Sequence, residues 1–134
     1  MEAADLGRAW FEHSPFVQKL GMRLVSMGPD EAEIELPFEE SLATAGDVVH
    51  GGAISSLLDT AAALAAWSGH DMSAGTRWGT IGFSVNFLSS GQGQALRAHA
   101  RVTKRGSKIC FCEVAVRDEA GAAVATALVS YRLG

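Results

Sequence analysis

The stretch Val49-His50-Gly51-Gly52-Ala53-Ile54-Ser55-Ser56-Leu57-Leu58-Asp59-Thr60 opens an alanine-rich segment that runs on to Trp67. A histidine and two glycines make a tight turn, and the longest helical pattern of the chain follows. Ile54, Leu57, Leu58, Ala61 and Ala65 form one stripe of that helix. Ser55, Ser56, Asp59, Thr60 and Ala63 form the other, which is small and weakly polar. A helix with so little charge on any side is a buried helix, and the rest of the chain must wrap around it.

Strand patterns supply the wrapping. Before the helix, Met22–Met27 and Glu31–Leu36 read as strands, separated by the turn Gly28-Pro29-Asp30. In the second, Glu31, Glu33 and Glu35 alternate with Ala32, Ile34 and Leu36, which gives one wet acidic face and one dry face. Three like charges at that spacing are a solvated face and not a catalytic array. Residues 38–49 read as a connection.

After the helix and a loop at 68–76, four strand patterns follow: Trp78–Leu88, Gln94–Lys104, Lys108–Asp118 and Ala122–Leu133. They are joined at hairpin spacing, which implies an antiparallel sheet. In the first, Ile81, Phe83, Val85 and Phe87 alternate with Thr80, Gly82, Ser84 and Asn86. Residues 3–20 read as one or two short helices, with Ser14-Pro15 as a start signal and Gly21 as a stop. The prediction is one α+β domain over residues 1–134, with about six antiparallel strands curled around a central helix.

Bulk composition excludes some classes of function. The chain has 134 residues, 48% hydrophobic and 19% charged, enough to build a core without disulfides or metals. A net charge of -4 argues against nucleic acid as a main partner. Cys110 and Cys112, at i and i+2 of a strand, point to one face and read as reduced thiols. His13, His50, His70 and His99 show no metal-ligand spacing, so no metal or cofactor is expected. The apolar helix is too short to span a bilayer, and Met1-Glu2-Ala3-Ala4-Asp5 has no signal character. A cytoplasmic location without membrane contact is the expectation.

Two features invite chemistry, each with a plain structural alternative. His50-Gly51-Gly52 precedes a helix, where free backbone N–H groups and the positive end of the dipole are presented. It reads as an oxyanion-type site or as a turn into a crowded helix. Asp59 lies too far into the helix to cap it, and Ser55 and Ala63 offer it no charge partner. It reads as a general base or nucleophile, or as a carboxylate bonded to a nearby hydroxyl. The basic run Lys104-Arg105-Gly106-Ser107-Lys108 reads as a solvated hairpin tip or as a phosphate-holding element.

His-Gly-Gly with an Asp nine residues after the His, on an Ala/Leu-rich helix followed by four strands, resembles the hotdog-fold acyl-CoA thioesterases of the PaaI-like group. Val85-Asn86-Phe87-Leu88 and Arg105-Gly106 support the resemblance, which covers about Ser14 to Leu133. It implies hydrolysis of an acyl-CoA to a free acid and CoA, in a homodimer or homotetramer with the active site at the dimer interface. By resemblance, the Gly51 N–H polarises the thioester carbonyl, Asp59 of the other subunit is base or nucleophile, and Thr80 holds the attacking water. His50 is positional, Gly52 belongs to the same turn, and Arg105 and Lys108 are candidates for the CoA phosphates. One position departs from the family: Thr44 stands where many members carry Asn. A threonine hydroxyl donates one hydrogen bond but does not reproduce an amide, which keeps a non-catalytic acyl-CoA-binding module as the alternative. A hotdog hydratase or dehydratase ranks lower, because no histidine accompanies Asp59 on the helix.

Overall fold

The computed structural model describes residues 1–134. Its elements in order are α1 (Ala3–His13), α2 (Pro15–Leu20), β1 (Arg23–Gly28), β2 (Glu31–Leu36), β3 (Ala43–Ala45), β4 (Val48–Val49), α3 (Gly51–Ser68), β5 (Trp78–Phe87), β6 (Leu96–Arg105), β7 (Ile109–Arg117) and β8 (Ala123–Leu133). Six strands form one antiparallel sheet in the order β1-β2-β6-β7-β8-β5. The α3 helix packs against β2, β6, β7 and β8. This is the hotdog arrangement: a sheet wrapped around one long helix. No helix is long and apolar enough to cross a membrane.

Burial follows the composition of α3. Leu57, Leu58 and Leu64 have no solvent exposure, and Ala61, Ala62, Ala65 and Ala66 let the sheet approach closely. Each buried leucine contributes about 1.5–3 kcal/mol by leaving water. The sheet answers with Ile34, Leu36, Leu96, Ala98, Val116 and Val129 on its concave face. On the convex face the glutamates of β2 meet the cations of β6: Arg97 bonds Glu35 at 3.1 Å and reaches Glu33 at 3.7 Å. The acidic strand is therefore a solvated face, held by cross-strand pairs of modest worth.

Three details depart from the sequence reading. Residues 38–49, expected as a connection, hold a 3-10 turn at Glu40–Leu42 and the β3–β4 arm. In β5 both faces are open: Phe83, Phe87 and Ile81 are 43%, 51% and 58% exposed. Phe83 pairs with buried Val129 and so faces inward, but β5 is an edge strand that α3 covers only in part, with Phe87 against Gly51 and Thr80 bonded to Asp59. The third departure is Arg105, which is drawn inward from the hairpin tip. Its Nη2 donates to Asp30 Oδ1 at 2.7 Å and to the Ala66 carbonyl at 2.9 Å, while Nη1 meets Cys110 Sγ at 3.1 Å.

Arg105 thus satisfies a carbonyl in the last turn of α3 and ties it to the β1–β2 turn. Arg105→Ala is expected to cost about 1–3 kcal/mol of unfolding free energy, since it strands that carbonyl and removes a charge-assisted bond. Denaturant titration of the variant against wild type measures the loss. Cys110 and Cys112 are free and buried, and burial pushes the Cys112 thiol up to about 12.

Candidate active site

The lead-in to α3 is fixed by its own backbone. His50 N–H donates to the Leu42 carbonyl at 2.7 Å, and Val49 N–H to the Gly91 carbonyl at 2.9 Å. His50 is then the N-cap, and its Nδ1 accepts from the Gly52 N–H at 2.7 Å. In the neutral ring the proton is therefore on Nε2. A Cβ on Gly52 would lie 2.9 Å from that Nδ1, so any other residue would push the His50 ring off its cap position. Gly51 is the first helical residue, and its N–H has no partner in the chain. It is an unspent donor at the positive end of an 18-residue helix. The Phe87 ring lies against Gly51, and a Cβ there would meet Phe87 Cζ at 3.2 Å.

Asp59 sits further along the same helix and is half-buried. Thr80 Oγ1, from β5, donates to Asp59 Oδ1 at 2.6 Å. The bulge between Thr80 and Gly82 sets this register, with Thr80 opposite Tyr131 on β8. The hydroxyl partner foreseen as one alternative for Asp59 is thus present, and it is the threonine aligned by resemblance. The Tyr131 phenol accepts from Trp67 Nε1 at 3.3 Å. Burial pushes its pKa up to about 12; the Trp67 bond opposes the rise, and the charge of Asp59 adds to it.

Two pockets open along α3. One, of about 240 Å³, holds Asp59 and Thr80 between Trp10, Phe16, Trp78 and Tyr131. The other, of about 330 Å³, holds His50 and Gly52 beside Leu20, Ser41 and Leu42. Phe16 and Ser56 line both. In the sequence Phe16 reads as packing of the N-terminal helix, with pocket lining as the alternative, and the structure has it lining both pockets; Ser56 reads only as part of a helix stripe. Neither Arg105 nor Lys108 lines either pocket, and Thr44 is exposed on β3.

Gly51 and Asp59 do not meet within one chain. Eight residues of helix separate them, about 12 Å at 1.5 Å per residue. A single reacting carbonyl needs the N–H and the activated water each within about 3 Å. One chain therefore holds the free Gly51 N–H, at the start of α3, apart from the Asp59 carboxylate beside β5.

Comparison with known proteins identifies the family. The thioesterase superfamily matches residues 46–125, a span that includes Gly51, Asp59 and Thr80. The medium/long-chain acyl-CoA thioesterase YigI of Escherichia coli is 27% identical over 96% of this chain and 92% of its own. Among solved structures, the conserved protein PA5202 of Pseudomonas aeruginosa superposes with a TM-score of 0.83 at 29% identity, over 90% of this chain and 94% of that one. The E. coli PaaI protein from the phenylacetic acid degradation operon shares the fold at a TM-score of 0.87 and 22% identity, over 98% of this chain and 94% of that one.

Proposed function

The chain belongs to the thioesterase superfamily, and from that we propose that it hydrolyses an acyl-CoA thioester to a free acid and CoA. The observation that carries the reading is Asp59: a carboxylate on a helix otherwise small and apolar, bonded to Thr80 and opening on a mostly apolar pocket. The acyl-CoA thioesterase YigI of E. coli, similar over 96% of this chain, supports it.

The site is completed by a second copy of the chain. β5 is a sheet edge with an unpaired backbone side, and Trp78, Ile81, Phe83, Phe87 and Leu88 are exposed on or beside it. An edge strand this apolar is a liability in a monomer and a joint in a dimer. Joining two chains along β5 gives each Asp59 carboxylate a Gly51 N–H donor from the other chain, which the separation of about 12 Å along α3 denies it otherwise.

In this site the thioester carbonyl oxygen accepts from the Gly51 N–H of one chain. A water held beside the bonded pair Asp59 and Thr80 of the other chain gives a proton to the carboxylate as its oxygen bonds to the carbonyl carbon. The tetrahedral oxyanion is held by the Gly51 N–H and the helix dipole. The C–S bond then breaks, and the leaving CoA sulfur takes up the proton that Asp59 accepted. One water is consumed, and one acid and one thiol are formed. His50 holds the turn, since its Nδ1 is spent on Gly52. Arg105 is committed to the fold, so of the two candidates Lys108, exposed at the hairpin tip, is the one left free to meet CoA phosphate.

Release of free thiol from a panel of short, long and aromatic acyl-CoAs tests the reading. Turnover is expected on at least one class. Saturable binding of CoA esters with no thiol release across the panel would instead identify a binding module, the outcome for which Thr44 argues.

A further inference from the structure

We propose that Phe16 sets the length of acyl chain the protein accepts, a specificity role that rests on the assignment of Asp59 to the reacting end of the thioester. The argument begins with what lines the Asp59 pocket. Ser56 Oγ donates to the Gly52 carbonyl and Thr60 Oγ1 to the Ser56 carbonyl, each at 2.8 Å. These hydroxyl protons are spent on the helix itself. Beyond Asp59 and Thr80, the wall therefore offers mainly hydrocarbon and ring: Trp10, Val17, Ala63 and Trp78, with the two indoles packed edge to face at 6.2 Å. A pocket with one polar end and an apolar body fits an acyl group whose carbonyl lies at the polar end.

The pocket is small. Its 240 Å³ holds on the order of eight groups of water size, at ~30 Å³ each. Phe16 and Ser56 form the boundary with the neighbouring 330 Å³ pocket, and of the two only Phe16 is large. Phe16 is also held in place. Pro15 starts α2, Val17 is buried at 3% exposure, and Gln18 Nε2 donates to the Glu12 carbonyl. Gly21, in the left-handed region at φ 72°, ends the helix. Yet Phe16 itself is 53% exposed, so core packing does not account for a phenyl ring there. Its ring is a stop between two cavities, and a chain longer than the first must displace it.

The test compares wild type with Phe16→Ala, Phe16→Leu and Phe16→Trp over a series of saturated acyl-CoAs. Two readouts are taken: thiol release, and equilibrium binding to the same chains carrying Asp59→Asn, followed by tryptophan fluorescence because Trp10 and Trp78 line the pocket. Phe16→Ala is expected to raise the preference for long over medium chains by about tenfold or more. Phe16→Leu should give a smaller shift in the same direction, and Phe16→Trp the opposite shift. A chain-length profile unchanged within about twofold in all three folded variants overturns the proposal. Thermal melts establish folding, and the exposure of Phe16 predicts little loss in any of them. Absence of thiol release from every ester would sink the hydrolase reading alone, because the binding profile still decides the role of Phe16.

Discussion

Asp59→Asn is expected to lower kcat for thiol release from the best acyl-CoA by about 10²–10⁴, the usual span for removing a positioned general base. The amide keeps the size of the side chain and can still accept from Thr80 Oγ1, whose bond to Asp59 Oδ1 is 2.6 Å. Packing should therefore survive, and the loss should fall on kcat with KM little changed. Steady-state kinetics with a thiol reagent measure both. A variant that keeps wild-type turnover removes Asp59 from the mechanism.

Gly51→Pro is expected to cost about 10²–10³ in kcat, the range for deleting one oxyanion donor. The substitution is chosen for its backbone logic. Position 51 is the first residue of α3, where proline is well tolerated because the N–H has no helical partner. His50, at φ -61° and ψ 136°, already has the extended conformation that a residue before proline requires. The ring must share space with Phe87, which has to give by a few tenths of an ångström. The variant thus removes the donor and leaves the helix, and circular dichroism beside the kinetics separates the two effects. Undiminished kcat in a folded variant would show that the Gly51 N–H does not carry the oxyanion.

Much of the fold was legible from local pattern. Glycines before a run of small apolar residues announced α3, and period-two alternation announced the strands. What stayed hidden depends on contacts distant in sequence. Arg105 looked like one cation of a solvated turn, yet it pairs with Asp30, 75 residues away. Nothing local foretells that partner. The apolar side of β5 was visible as a pattern, but its exposure follows from strand order, which leaves β5 at the edge, where α3 covers it only in part. The site was legible by type more than by geometry. The spacing of His50, Gly51 and Asp59 marked the elements, while the Thr80 bond came into view only with the β5–β8 register. Phe16 was legible only as a choice between helix packing and pocket lining, and the pockets on either side of it come into view only with the fold.

The central claim is that each working site takes Gly51 from one chain and Asp59 from another. Mixing the two variants tests it most directly. Gly51→Pro and Asp59→Asn chains, each nearly inactive alone, are co-expressed in equal amounts, and thiol release is measured on the purified mixture. A heterodimer then holds one site with both residues intact and one with neither. The account predicts recovery to about a quarter of the wild-type rate if the chains pair at random. A mixture no more active than the two variants assayed separately would mean that the site is built within one chain, and would contradict it.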